Sequence, residues 1–228
     1  MICGMLLTAM SSMNAKTLVV YYSYTNNCHD IVQTLSSQID TDVMRIEPAD
    51  KTQKYEANGY AIGTKLLNAI KAAPNDAASY PAIDPVSITD LTPYQTIIIV
   101  TPLWWSQMAA IMQTFLFQNS AKLAGKTMAM IVSSHSSGIS GVVADAQRLL
   151  PNVTWACDAL WINASNHSNR NSLIENWLPT QNFQSSTTGI SHIKSDVKKS
   201  KVYTQQGTLA LLGQKGIVIK DGKKVAIK

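Results

Sequence analysis

Three short stretches of this chain carry residue types that could hold an anion or a flat ring. The first is Ser23-Tyr24-Thr25-Asn26-Asn27-Cys28, between an apolar run and a helical pattern. Hydroxyls and amides at a helix start join its unpaired N–H groups, and the helix dipole adds to them in favouring a phosphate. No Lys follows in the right place and no GxxxxGK[ST] spacing is present, which excludes a nucleoside-triphosphate loop. An ordinary N-cap uses the same residue types. The second stretch is Pro102-Leu103-Trp104-Trp105-Ser106. Core packing can use one of its two indoles, but a pair just past a buried strand suggests a stacking surface for a flat ring. The third runs from Ser133 to Ile139 and centres on Ser134-His135-Ser136-Ser137-Gly138. Its small polar residues could wrap a ligand edge with backbone groups. His135 reads equally as a proton donor or as a solvent-facing loop residue. His29, His167 and His192 have no metal-ligand spacing, and Ser137 lacks the G-x-S-x-G setting of a catalytic nucleophile.

The elements that must position these loops alternate between strand and helix. Thr17–Tyr22 is a continuous apolar β-rich run, as a buried parallel strand requires. Asn27–Ile39 has Ile31, Val32, Leu35 and Ile39 at helical spacing. Val43–Ile46, Thr96–Val100, Thr127–Val132 and Thr154–Ile162 read as further strands. Ala57–Ala73, Met108–Phe117, Ile139–Leu150 and Ser168–Leu178 read as helices. Five strands alternating with helices imply an α/β fold, a doubly wound parallel sheet. Ligands of such sheets bind beyond the carboxyl ends of the strands, which is where all three loops lie.

Charge divides the chain into two parts. Its 228 residues have a formal net charge of +5. Residues 194–228 hold nine Lys and two Asp, a net of +7, whereas residues 1–193 hold ten Lys plus Arg and twelve Asp plus Glu, a net of −2. The basic excess is therefore a property of the C-terminal segment. Tyr203 is the only aromatic residue there, and stacking platforms for nucleic acid need several, so nucleic acid is not an expected partner. The 46% hydrophobic content excludes a disordered chain. No uninterrupted apolar run reaches the roughly 20 residues of a transmembrane helix.

The two ends read differently from the body. Residues 1–15, MICGMLLTAMSSMNA, are small or apolar and uncharged. They resemble the apolar and cleavage regions of a secretory signal peptide without its positive leader; an extra strand or an unstructured end is the alternative. The expected location is exported, at the periplasm or cell surface, if that reading holds and cytoplasmic if it does not. Cys28 and Cys157 do not by themselves make a disulfide framework. Near the C-terminus, Asp221-Gly222 between GIVIK and KKVAIK is a strong two-residue hairpin signal.

Several motifs together resemble the flavodoxin family over about Lys16 to Phe183. VVYYSYTNNC is similar to that family's phosphate loop, S-x-T-G-N-T in its usual form. TPLWWSQMAAIMQTFL is similar to the YPIWWGTAPPAVLTFL element of one flavodoxin-like family, and SSHSSGIS to that family's third loop. The resemblance implies a strand order of 2-1-3-4-5, in which Cys28 and Cys157 do not pair, and FMN as cofactor. Ser23, Thr25, Asn26, Asn27 and Cys28 would hold its phosphate, with Tyr24 in the same loop. Trp104 and Trp105, following Pro102 and Leu103, would flank the isoalloxazine. Ser106 would present its backbone near the reactive ring nitrogen, and Ser134, His135, Ser136, Ser137 and Gly138 would line the other edge. The implied function is electron transfer through a non-covalent flavin, to a redox partner protein or a small acceptor. An NAD(P)H-dependent quinone or flavin reductase, or an exported binding module without flavin, are the alternatives.

Three departures from the pattern carry expectations. Asn26 replaces a Gly, and Asn tolerates positive φ better than most residues. Cys28 replaces a Thr, and a thiol at a helix start is expected to ionise more readily. Ser106 replaces the small residue that lets the peptide turn over when flavin is reduced. The KVYTQQGTLALLGQKGIVIKDGKKVAIK end resembles the β-tails of proteins exported by the type IX route. The expected organisation is a signal peptide at 1–15, a flavodoxin-like domain at 16–183, a linker at 184–199, and a basic C-terminal β appendage at 200–228.

Overall fold

The computed structural model describes residues 16–55, 60–178, 202–204, 216–220 and 223–227. The signal-peptide and linker readings fall outside them. The chain divides near residue 186 into two units.

In the first unit β1 (Lys16–Tyr21), α1 (Asn27–Ser36), β2 (Asp42–Arg45) and α2 (Tyr60–Ala72) are followed by β3 (Tyr94–Trp104), which turns back as β4 (Gln107–Met108). Then come α3 (Ala110–Leu123), β5 (Thr127–Ser134), α4 (Ser140–Leu149), β6 (Thr154–Trp155), β7 (Leu160–Asn163) and α5 (Arg170–Trp177). The parallel sheet has the order β2-β1-β3-β5-β6, with β7 also beside β5. Counting β6 and β7 as one interrupted strand gives the expected flavodoxin-like 2-1-3-4-5.

The strand residues divide between two cores because successive side chains leave a strand on opposite faces. Leu18, Val20, Ile97, Ile99, Met128 and Met130 face α2, α3 and α4. Val19, Tyr21, Ile98, Val100, Ala129 and Ile131 face α1 and α5. Both faces are covered, which is why these strands read as continuous apolar runs rather than alternating ones.

The expected single strand Thr154–Ile162 is broken. Between the pairs Met128↔Trp155 and Ile131↔Leu160, β5 advances three residues while the outer strand advances five. The two extra residues leave the ladder as a bulge. Trp177 Nε1 donates to the Asp158 carbonyl at 3.1 Å and holds the excursion. An edge strand can bulge in this way because one of its sides has no ladder to keep.

In the second unit β8 (Val202–Thr204), β9 (Gly216–Lys220) and β10 (Lys223–Ile227) form an antiparallel sheet of order β10-β9-β8. Lys220 pairs with Lys223, the register that a two-residue Asp-Gly turn sets.

Candidate functional site

A cleft of about 440 Å³ opens at the carboxyl ends of β1, β3, β5 and β7. That volume is in the usual range for a small-molecule or cofactor site. Ser23, Tyr24, Thr25, Asn27 and Cys28 form its first wall. Asn26 gives the turn its shape, with φ 64° and ψ −6°, and its own side chain does not cap α1. A left-handed residue before a helix start leaves a concave set of N–H groups suited to an anion. Ser23 is held at two points. The His29 N–H donates to its Oγ at 3.3 Å, and Arg45 Nη2 donates to its carbonyl at 2.8 Å.

The second wall is Pro102, Leu103, Trp104 and Tyr55. The Trp104 and Tyr55 rings lie 11° from parallel with centroids 6.3 Å apart, and Tyr22 meets Trp104 edge-on. Trp105 and Ser106, by contrast, form the two-residue turn between β3 and β4, both with positive φ, 50° and 62°. This turn carries Trp105 away from the cleft lining. Its indole is 47% exposed and lies over Gly63 of α2, where an added Cβ would sit 3.3 Å from its Nε1.

The strained turn is clamped from behind. Asp145 Oδ2 accepts from the Met108 N–H at 3.0 Å, and Gln113 Nε2 donates to the Met108 carbonyl at 2.8 Å. Arg148 Nη2 donates to Gln113 Oε1 at 2.8 Å and to Asp145 Oδ1 at 3.3 Å. Gln113 and Asp145 are buried. Gly141, at the start of α4, is essential to this contact: a Cβ there would stand 2.0 Å from the Ser106 carbonyl oxygen.

The third wall is Ser133, Ser134 and His135. Ser134 Oγ accepts from Trp161 Nε1 at 2.7 Å and donates to the Ser137 carbonyl at 2.8 Å. Ser136, Ser137 and Gly138 are exposed and lie outside the lining, as does Asn26. Among the described residues, no Lys, Arg, Asp or Glu lines the cleft.

A profile of the flavodoxin family matches residues 16–181. The chain belongs to that family. No curated protein matches it. Among solved structures, this flavodoxin is 25% identical to a candidate flavoprotein of Bacteroides uniformis, with a TM-score of 0.56, covering 71% of this chain and 99% of that one. A second candidate flavoprotein, from Bacteroides eggerthii, is also 25% identical, with a TM-score of 0.56, covering 74% and 98%. A flavoprotein of Lactobacillus acidophilus solved in complex with FMN is 18% identical, with a TM-score of 0.52, covering 68% and 97%; that likeness is one of fold.

The fold corrects one expectation about the flavodoxin's first loop. The Cys28 thiol is not activated by its place at the start of α1. It is fully buried against the sheet, and burial raises its pKa above the ordinary value, with a Ser133 hydrogen bond opposing the shift only in part. Desolvation of a thiolate outweighs the attraction of one helix end. Cys28 does not pair with Cys157.

The cleft also contains residues that sequence reasoning missed. Asn163, Ala164 and His167 follow the outer strand, and the Ala164 N–H donates to the His135 carbonyl at 3.1 Å. The rule that picked out the other loops applies equally here, and Asn163-Ala164-Ser165-Asn166-His167 has the same small polar character. Tyr55 gave no such signal, because it lies beyond any strand end that could be recognised from pattern.

Proposed function

We propose that this flavodoxin binds FMN non-covalently and passes electrons through it to a redox partner protein or a small acceptor. The observation that carries the reading is a single cleft pairing a helix start with an aromatic wall. The residues present suit a flat ring bearing a phosphate. Ser23, Thr25 and Asn27, with the N–H groups around Asn26, supply neutral donors for the phosphate. Trp104, braced edge-on by Tyr22 and faced by Tyr55, supplies the apolar wall for the ring. Ser134 and His135 offer polar groups along the opposite edge. The flavin, when bound, supplies one- and two-electron redox chemistry. The protein's part is to stack, orient and desolvate it. Trp105 and Ser106 contribute at one remove, by fixing the hairpin that presents Leu103 and Trp104.

The direct test is colour. Full-length protein should purify yellow, or turn yellow on titration with FMN and show a flavin absorption band. A colourless protein that takes up no FMN in excess refutes the reading. Trp104→Ala should weaken FMN binding by about 1 kcal/mol or more. Oxidation of NADPH in the presence of a quinone would move the function from carrier to reductase.

The export reading is proposed alongside it, on the sequences of residues 1–15 and of the Lys-rich end. Fractionation of the full-length chain in its host checks it: recovery in the cytosol alone rejects export.

A further inference from the structure

Among the described residues, the anion wall of the cleft contains no Lys or Arg, yet a guanidinium holds that wall from outside. Arg45 is the last residue of β2 and pairs in register with Tyr21, the last residue of β1. From there its Nη2 reaches the Ser23 carbonyl at 2.8 Å. We propose that Arg45 is a specificity-determining residue that makes this flavodoxin select a phosphorylated flavin over the same flavin without its phosphate. The proposal rests on the FMN reading and assigns to one residue the choice between FMN and riboflavin.

Two physical effects support it. The first is orientation. In a trans peptide the carbonyl and the following N–H point in opposite directions, and no described peptide is cis. With the Ser23 carbonyl fixed on Arg45, the Tyr24 N–H is turned to the far side of the loop. The Ser23 side chain is pinned separately by the His29 N–H, so the loop's first peptide has little freedom. The second effect is charge. A dianionic phosphate held only by neutral donors gains from a fixed cation on their far side, and because the Arg45 side chain is 37% exposed that gain is weakened by salt.

The guanidinium is well placed to act as a fixed group. It lies over the Tyr21 ring, 5.8 Å from its centroid, and its Nε is ion-paired to Glu47. The Tyr21 hydroxyl is 2.9 Å from His29 Nδ1, which ties the same corner to α1. Glu47 also sets a sign that can be tested. Its carboxylate offsets part of the Arg45 charge, so removing it should raise the local potential rather than lower it.

The experiment titrates the full-length chain and two variants with FMN and with riboflavin. Arg45→Met should weaken FMN about tenfold, the scale of one charge-assisted hydrogen bond, while riboflavin changes by less than about twofold. Glu47→Gln should tighten FMN by about threefold at low salt, leave riboflavin unchanged, and lose its advantage as salt is raised. Equal losses for both flavins in Arg45→Met would make the residue structural only and overturn the proposal. So would an unchanged FMN affinity, or a weakening of FMN by Glu47→Gln. An unmodified chain that binds FMN alongside an indifferent Arg45→Met removes only the Arg45 assignment. An unmodified chain that binds neither flavin removes the FMN reading itself, and this inference with it.

Discussion

Two turns beside the cleft place non-glycine residues at positive φ, and the protein supports them in opposite ways. At the first, Asn26 takes φ 64° in a loop whose side chains are mostly exposed. Asn is among the residues that visit this region at little cost, and its own side chain does not cap the helix that follows. At the second, Trp105 and Ser106 take φ 50° and 62° in succession. Neither type suits that region, at a cost of roughly 1–2 kcal/mol per residue. There the backbone is gripped through Met108 by Asp145 and Gln113, with Arg148 joining the two. A turn that its own residues favour can be left open to a ligand. A turn that they oppose needs a buried polar clamp.

The largest expected effect comes from the closest approach at the clamped turn. Gly141→Ala should destabilise the fold by about 3 kcal/mol in urea denaturation, because the new methyl meets backbone that cannot give way. In an unconstrained helix the same change stabilises, so any gain would show that Gly141 does not set this contact. Asp145→Ala should cost about 2 kcal/mol, since it leaves the Met108 N–H without its carboxylate. Asp145→Asn keeps an oxygen acceptor and should lose less than half of that. Equal losses would mean that Asp145 holds the turn by charge alone.

Relief of the strain itself is a smaller term of opposite sign. Ser106→Gly should stabilise by about 1 kcal/mol, the backbone gain at positive φ less the entropy of a freer unfolded chain. The Cys28 thiol beneath the first turn gives an effect of similar size. Burial raises its pKa above the ordinary value of 9.0, so the folded state keeps its proton where the unfolded chain releases it. That contribution is full below the unfolded value and falls as pH rises past it. Between about pH 9 and about pH 10 the native chain should lose about 1 kcal/mol more than Cys28→Ala loses. Parallel pH profiles would show the thiol to be exposed. Asn26→Gly should change stability by less than about 0.5 kcal/mol. A gain comparable to that of Ser106→Gly would abolish the distinction between the turns.

The sheet was legible because its strands are buried on both faces. TLVVYY, TIIIV and the run from Thr127 admit almost no other reading, and their alternation with helices implies a doubly wound parallel sheet; the order of its strands was implied by the resemblance to the flavodoxin family. The first wall of the cleft was legible for a related reason: a strand that runs into Ser, Thr and Asn before a helix puts polar groups at the carboxyl edge of the sheet, the same residues an ordinary N-cap uses. The bulge between β6 and β7 was not legible, because Trp155 to Leu160 carries no signal for two residues leaving a ladder that depends on β5. Nor was the outward course of Trp105. Adjacent indoles look equivalent in sequence, and the difference between them is the sign of two φ angles. The reactive-thiol expectation for Cys28 failed for the same reason, since helix position can be read from pattern and burial against Ser133 cannot.

Local pattern suffices for the doubly wound sheet, the polar loop at the start of α1 and the location of the basic charge in the last 35 residues. Side-chain alternation, helical spacing, capping chemistry and composition carry each of them. Tertiary packing selects which of two tryptophans lines the cleft, brings Tyr55 and the Asn163–His167 loop to it, and sets Arg45 behind Ser23. Each of those outcomes joins residues far apart in the chain, and the hydrogen bonds and close contacts that select them do not exist until the strands are side by side.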